Sequence, residues 1–275
     1  MKNKILKRII GLAAVAVLSI SMVGCGNNAS STGSSDSKSK LEQIKEKGKL
    51  VVGTSADFPP YEFHSNSNGE DQIIGIDISI ANEVAKDLGV ELEVKDMDFD
   101  GLLIALQGNK VDMIFSGMTP KPERKENADF SDIYYNVKQT YIVRKEDEGK
   151  IKTEDDLKGL KVGAQKGSVQ EDLAKSKFDA ENIKSLTKVT DLILDLKNKK
   201  IDAILLEVPI AEFNASQNDD LAVAPIEFED EDGGYAIAMP KDSPELVKQV
   251  NGTIKRLQDD KKIDEFASEM AKLID

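Results

Sequence analysis

The stretch D-G-L-L-I-A-L-Q-G-N-K-V-D-M-I-F-S at residues 100–116 aligns without a gap on T-D-L-I-L-D-L-K-N-K-K-I-D-A-I-L-L at residues 190–206, an offset of 90. In each copy, apolar residues at helical spacing (Leu102, Leu103 and Leu106; Leu192, Ile193 and Leu196) lead through a polar turn into a short strand. The strands are expected at 111–115 and 201–206, and a Lys-Val-Asp or Lys-Ile-Asp step begins both, at Asp112 and Asp202. Helix–turn–strand pieces are common, so the bland alternative to duplication is two unrelated copies of an ordinary motif. Duplication places one unit in each of two lobes.

Working outward, strands are expected at 50–54 and 161–164, each followed by turn-rich sequence and a helix. Such alternation predicts an α/β fold with mostly parallel sheets flanked by helices. Residues 75–89 carry an amphipathic helix stopped by Gly89, and Thr153 with Asp156 forms a capping-box-like start before Leu157. Two period-2 segments, 136–144 and 233–240, are candidates for crossing between the lobes as a hinge, and helices at 243–257 and 263–273 then pack on the first lobe. Ligands in open α/β sheets lie at the carboxyl ends of strands, where Ser55, Ser116, Gly117, Gln165 and Glu207 fall.

One of those ends is informative alone. D-M-I-F-S-G-M-T-P-K-P-E-R at 112–124 is a strand that stops at Ser116-Gly117 and turns, between prolines, to Arg124. Backbone N–H groups around Gly117, the Thr119 hydroxyl and the Arg124 guanidinium together suit a small anion such as a carboxylate. Arg124 as one more solvated charge is the bland reading.

The N-terminus reads as an export signal over residues 1–24: Lys2, Lys4, Lys7 and Arg8 precede an apolar run that ends at Gly24-Cys25. The run is shorter than the roughly 20 apolar residues of a membrane-spanning helix. Cys25 is the sole cysteine, which excludes a disulfide framework and a cysteine-based metal site. Residues 25–40 are small and polar, a flexible linker. Loss of Lys2, Lys4, Lys7 and Arg8 with the signal leaves 33 of 37 basic residues against 50 acidic ones, a formal charge of −17 that argues against a nucleic-acid partner. A serine-protease-like or zinc site would have to use His64, the only histidine, which sits in polar sequence and reads as a solvated loop residue.

In order along the chain, G-T-S-A-D-F-P-P-Y-E-F at 53–63, G-I-D-I-S-I-A at 75–81, M-D-F-D-G-L-L-I-A-L at 97–106, the 112–124 segment, D-F-S-D-I-Y-Y at 129–135 and D-L-K-G-L-K-V-G-A-Q at 156–165 resemble family 3 of the bacterial extracellular solute-binding proteins, the polar amino-acid receptors of ABC importers. Met22-Val23-Gly24-Cys25 likewise resembles the lipobox of bacterial lipoproteins, with Met22 in place of the usual leucine. The resemblance implies a two-lobed periplasmic-binding-protein-like fold of type II. Lobe 1 would span 41–137 and 233–275, and lobe 2 would span 138–232.

It further implies that Arg124, Thr119 and backbone N–H groups of the 165–169 turn, with Gln165, Ser168 and Val169, hold the carboxylate of a free amino acid. The Gly117 carbonyl and Glu207, where many members have Asp, would take the ammonium, with Ser116 alongside, and Phe58 and Phe99 would sandwich the side chain. Ser55 stands where members binding glutamine or basic amino acids often carry Asp, so Asp57, Glu62 and Asp100 are left as possible sources of negative charge. A polar L-amino acid is the expected ligand, glutamine or arginine foremost, with no cofactor and no metal. The protein would be lipid-anchored through Cys25 (acylated, for example with palmitate) on the outer face of the cell membrane, or periplasmic where there is an outer membrane, and would feed an ABC permease. The alternatives are an amino-acid-sensing module and a dehydratase-like enzyme on the same fold.

Overall fold

A computed structural model describes residues 38–66, 69–229 and 233–272. The expected export signal, the lipidated Cys25 and the linker up to residue 37 lie outside the described residues. Helix α1 (Lys40–Lys47) opens on a capping box between Ser39 and Glu42, so helical order begins just before the end of the expected linker.

Both copies of the repeat begin their strands in the same way. The Asp112 N–H donates to Val51 O at 2.7 Å, and its Oδ2 accepts from Val51 N at 2.9 Å. Asp202 makes the same pair of bonds with Lys161, at 2.7 and 3.0 Å. Asn109 and Lys199, also 90 apart, take left-handed φ values of 52° and 59° in the turn between helix and strand. The match extends to the preceding strand, where a Cβ added to Gly53 would sit 3.1 Å from Leu102 Cδ2 and one on Gly163 would sit 2.9 Å from Leu192 Cδ2. The repeated sequence is therefore repeated packing.

The first lobe contains β1 (Lys49–Thr54), a hairpin of β2 (Asp57–Phe58) and β3 (Glu62–Ser65) extended by β4 (Gln72–Ile74), α2 (Ile76–Leu88) and β5 (Glu91–Asp96). Helix α3 (Leu102–Gln107), β6 (Met113–Ile114), α4 (Pro122–Lys125) and β7 (Ala128–Phe130) follow. The second lobe comprises β8 (Gln139–Arg144), β9 (Val162–Gln165), α5 (Val169–Lys177), β10 (Ile183–Leu186), α6 (Val189–Lys197), β11 (Ala203–Glu207), α7 (Val208–Ser216) and β12 (Leu221–Phe228). The chain then returns through β13 (Ala238–Pro240) to α8 (Pro244–Asp259) and α9 (Lys262–Lys272), which pack on α2 as expected.

The two five-stranded sheets share one plan, β5-β1-β6-β13-β7 and β10-β9-β11-β8-β12. In each, three strands run parallel (Val52 opposite Met113; Ala203 opposite Val162) and the next strand is antiparallel, β13 on β6 and β8 on β11. Those antiparallel strands come from the two crossing segments. Between the sheets the segments pair only briefly: Tyr235 N donates to Tyr135 O at 2.8 Å and Tyr134 N to Tyr235 O at 2.9 Å. Tyr61, Tyr134, Tyr135 and Tyr235 pack together here, with the Tyr61 and Tyr235 ring centroids 4.9 Å apart.

Several elements are shorter than expected. The crossing strands shrink to β8 and β13: Tyr235 pairs with Tyr135, just before the first segment, and residues 136–138 join neither sheet, while the strand expected at 111–115 is only β6. His64 lies on β3, paired with β4, and its Nδ1 is 2.9 Å from Asp71 Oδ1; the polar stretch read as a loop is a hairpin edge. Among the described residues no cluster of His, Cys, Asp or Glu is arranged to hold a metal ion.

Asp112 is buried, and besides the Val51 N–H it receives Lys40 at 3.0 Å and Lys47 at 2.8 Å. Asp112→Ala strands a buried backbone donor and two lysines, and a loss of about 2–3 kcal/mol is expected in denaturant unfolding.

Candidate ligand cleft

The strand ends of both sheets converge on a narrow slot between the side chains. All eleven expected ligand contacts line it: Ser55, Phe58, Phe99, Ser116, Gly117, Thr119, Arg124, Gln165, Ser168, Val169 and Glu207. Glu62 and Gln170 complete the wall. A wider, open groove between β7 and α8 is edged by Lys125, Lys241 and Lys248 and has no such convergence of buried charge.

The turn after β6 owes its shape to Asp77, at the start of α2. Gly117 takes φ 50° and donates its N–H to Asp77 Oδ2 at 2.9 Å. A Cβ at Gly117 would come within 3.1 Å of Phe58 Cε1 and 3.4 Å of Tyr235 Cζ, so only glycine lets the turn approach both rings. Tyr134 clamps the same carboxylate through its hydroxyl at 2.7 and 2.8 Å. Burial pushes the Asp77 carboxyl up to about 6 despite these hydrogen bonds.

Arg124 is raised into the slot by α4, whose Pro122 starts the single turn. Its Nη1 donates to Thr119 O at 2.8 Å, its Nη2 to Gly167 O at 3.0 Å, and its guanidinium carbon lies 5.4 Å from the centre of the Phe99 ring. No carboxylate among the described residues lies within ion-pair distance of it. Burial lowers its pKa, opposed by Glu123, Asp172 and Glu207, yet guanidinium stays charged at any ordinary pH. Beside it, Ser168 caps α5 by accepting from Glu171 N at 3.2 Å, which directs the first turn of that helix at the slot. This end is built for an anion.

The other end is acidic. Hairpin pairing sets Glu62 opposite Phe58 and buries it completely. Its Oε1 accepts from Ser116 Oγ at 2.9 Å, whereas Oε2 has no hydrogen-bond partner. Burial, and then the Asp77 charge, hold the Glu62 carboxyl well above the ordinary range. Glu207, at the end of β11, is buried from the second lobe.

Of the three acids left open by the sequence, only Glu62 faces the slot. Asp57 accepts the first N–H of α6, from Val189, and the Ser55 hydroxyl at 2.7 Å, while Asp100 pairs with Lys166 at 2.8 Å. Gln170, which gave no sequence signal, donates to Gln139 Oε1 at 2.9 Å and so fixes the slot's floor to β8.

Comparison with known proteins places the chain among binding proteins. The profile of the bacterial extracellular solute-binding proteins, family 3, matches residues 50–270. ArtP, an arginine-binding extracellular protein of Bacillus subtilis, is 38% identical over 265 residues, covering 95% of this chain and 96% of that protein. GlnH, an ABC transporter glutamine-binding protein of the same organism, is 31% identical over 268 residues, covering 95% and 96%. Among solved structures, the ABC transporter substrate-binding protein AbpA of Streptococcus pneumoniae bound to L-arginine is 42% identical with a TM-score of 0.81, covering 85% of this chain and 98% of that one.

Asp77 gives the site a pH signature. Its folded value lies above the ordinary carboxylate value, so its contribution to stability is complete below about pH 4 and is lost as pH rises through 6. Relative to Asp77→Asn, the native protein should lose about 2–3 kcal/mol between pH 4 and 7. Denaturant midpoints of both proteins across that range check this, parallel curves being the contrary result.

Proposed function

Because the chain belongs to the bacterial extracellular solute-binding proteins, family 3, we propose that it captures L-arginine between its two lobes and delivers it to the permease of an ABC importer. It is a binding protein and not an enzyme, as its family and relatives are. Its place is outside the cytoplasm, extracellular or periplasmic. Acylation of Cys25 anchors the mature chain to the membrane, residues up to about 40 form the tether, and the lobes divide at 137/138 and 232/233.

The observation that carries the choice of ligand is Glu62. An amino-acid zwitterion satisfies Arg124 with its carboxylate and Glu207 with its ammonium. That leaves a second buried carboxyl with an oxygen that has no partner; a guanidinium beside it would favour its ionised form and meet it with charge-assisted N–H donors, where an amide brings a neutral donor and no charge. Phe58 and Phe99 supply flat faces for the same planar cation. Glutamine is the second reading, favoured by the glutamine-binding relative GlnH; the Ser55 hydroxyl is engaged with Asp57 and adds no charge to the slot.

The ligand closes the lobes by touching both: Arg124, Thr119 and the aromatics from the first, Gln165, Ser168, Val169 and Glu207 from the second. Swinging the balance from 1:99 to 99:1 takes about 5.5 kcal/mol of differential binding.

A thermal-shift panel of the twenty amino acids with ornithine and cystine should show its largest rise with L-arginine. In calorimetry, Arg124→Ala should weaken every amino-acid ligand by about 2–5 kcal/mol. Glu62→Gln should weaken L-arginine about 10- to 100-fold and L-glutamine far less. A native protein that prefers glutamine overturns the arginine assignment.

A further inference from the structure

The repeated unit contributes to a second set of inter-lobe contacts outside the slot. On one side, the loop after β1 sends Asp57 to the first turn of α6, where it accepts the Val189 N–H. Lys188, just before that turn, places its Nζ 3.6 Å from Asp96, 3.7 Å from Asp98 and 4.0 Å from Asp57. On the other side, the loop after β9 sends Lys166 to Asp100, which precedes α3, at 2.8 Å. Gly167 in that loop lies so close to Asp100 that an added Cβ would sit 3.0 Å from its Cβ.

By the 90-residue offset, 98–107 and 188–197 are the same piece of structure. Each lobe thus docks the loop after its first parallel strand on the start of the other lobe's repeated helix, with the charges exchanged: an acid meets α6, a base approaches α3. A third bridge, Lys121 to Asp172 at 2.8 Å, joins α4 to α5. None of these eight residues lines the slot.

We propose that Lys121, Lys166 and Lys188 form a latch that sets the open–closed equilibrium, and with it the dwell time of the ligand, without touching the ligand. The proposal rests on the closing two-lobed reading given above. Every bridge joins a residue of the first lobe to one of the second, so opening about the 134–137 and 233–237 crossing breaks all three. The bridges are partly exposed and act through charge at the closed end of the motion, where screening by salt weakens them. Attraction of a cationic ligand by the acidic protein as a whole acts on association instead.

Two measurements test the latch. In stopped flow with L-arginine, the triple variant Lys121→Gln, Lys166→Gln, Lys188→Gln should dissociate about tenfold faster than the native protein, with association changed less than about threefold. Added salt should speed dissociation of the native protein and leave the variant's nearly constant. Asp100→Lys should restore slow dissociation to a Lys166→Asp chain, which a merely structural loss would not allow.

In the full chain carrying Cys25→Ser, spin labels at positions 181 and 245 read lobe separation with no ligand present, and neutralising the three lysines should shift the distances toward the open form. Dissociation rates and ligand-free distances that both match the native protein overturn the latch. Absence of binding by any amino acid overturns the assigned ligand, and the ligand-free distances still judge the latch.

Discussion

A charge taken out of water needs a counter-charge, and the slot is organised around that requirement. Arg124 is buried with two carbonyls as its hydrogen-bond partners and the Phe99 ring beside it, while Glu62 and Glu207 are buried in the wall of the same slot. An isolated buried ion costs several kcal/mol. No ion pair joins Arg124 to an acid of the slot, so a molecule carrying both signs in the right order would gain from each. On the proposed assignment, an anion-binding turn, which alone would suit phosphate, comes to suit zwitterions because Glu207 lines the same slot.

The scaffold supplying these groups is one unit used twice. Asp112 and Asp202 staple their strands to the neighbouring strand by the same pair of backbone bonds, and the glycines at 53 and 163 let the repeated helices approach. Both strand ends then point at the same gap. Antiparallel β13 and β8, each drawn from a crossing segment, tie hinge and sheets together, so lobe motion is transmitted to strands whose ends carry Ser116 and Glu207.

Much of this was legible because its causes are local. The repeat spacing, Gly89 as helix stop, the Thr153–Asp156 box and the Ser116–Arg124 turn are short-range patterns, and the structure forms each of them. What escaped depends on long-range placement. Asp57, Glu62 and Asp100 look alike in sequence, and only the fold sends one to a helix N-terminus, one into the slot and one to Lys166. Gln170 enters the wall because α5 begins at Val169, and His64 joins a strand because β4 comes back to pair with β3. The crossing strands come out shorter than their period-2 sequence predicts because that pattern cannot tell a sheet strand from an extended linker such as 136–138, or from one that pairs with another linker, as Tyr235 does with Tyr135.

The tyrosine cluster at that crossing has an optical consequence. The chain has no tryptophan and five tyrosines, four of which pack together where the lobes join. The near-ultraviolet absorption of the molecule therefore originates largely at its hinge. Ring distances of about 5–6 Å place these chromophores in range to exchange excitation. The near-ultraviolet circular dichroism of such coupled rings depends on how they are arranged, which gives the native protein a label-free signal from the joint itself.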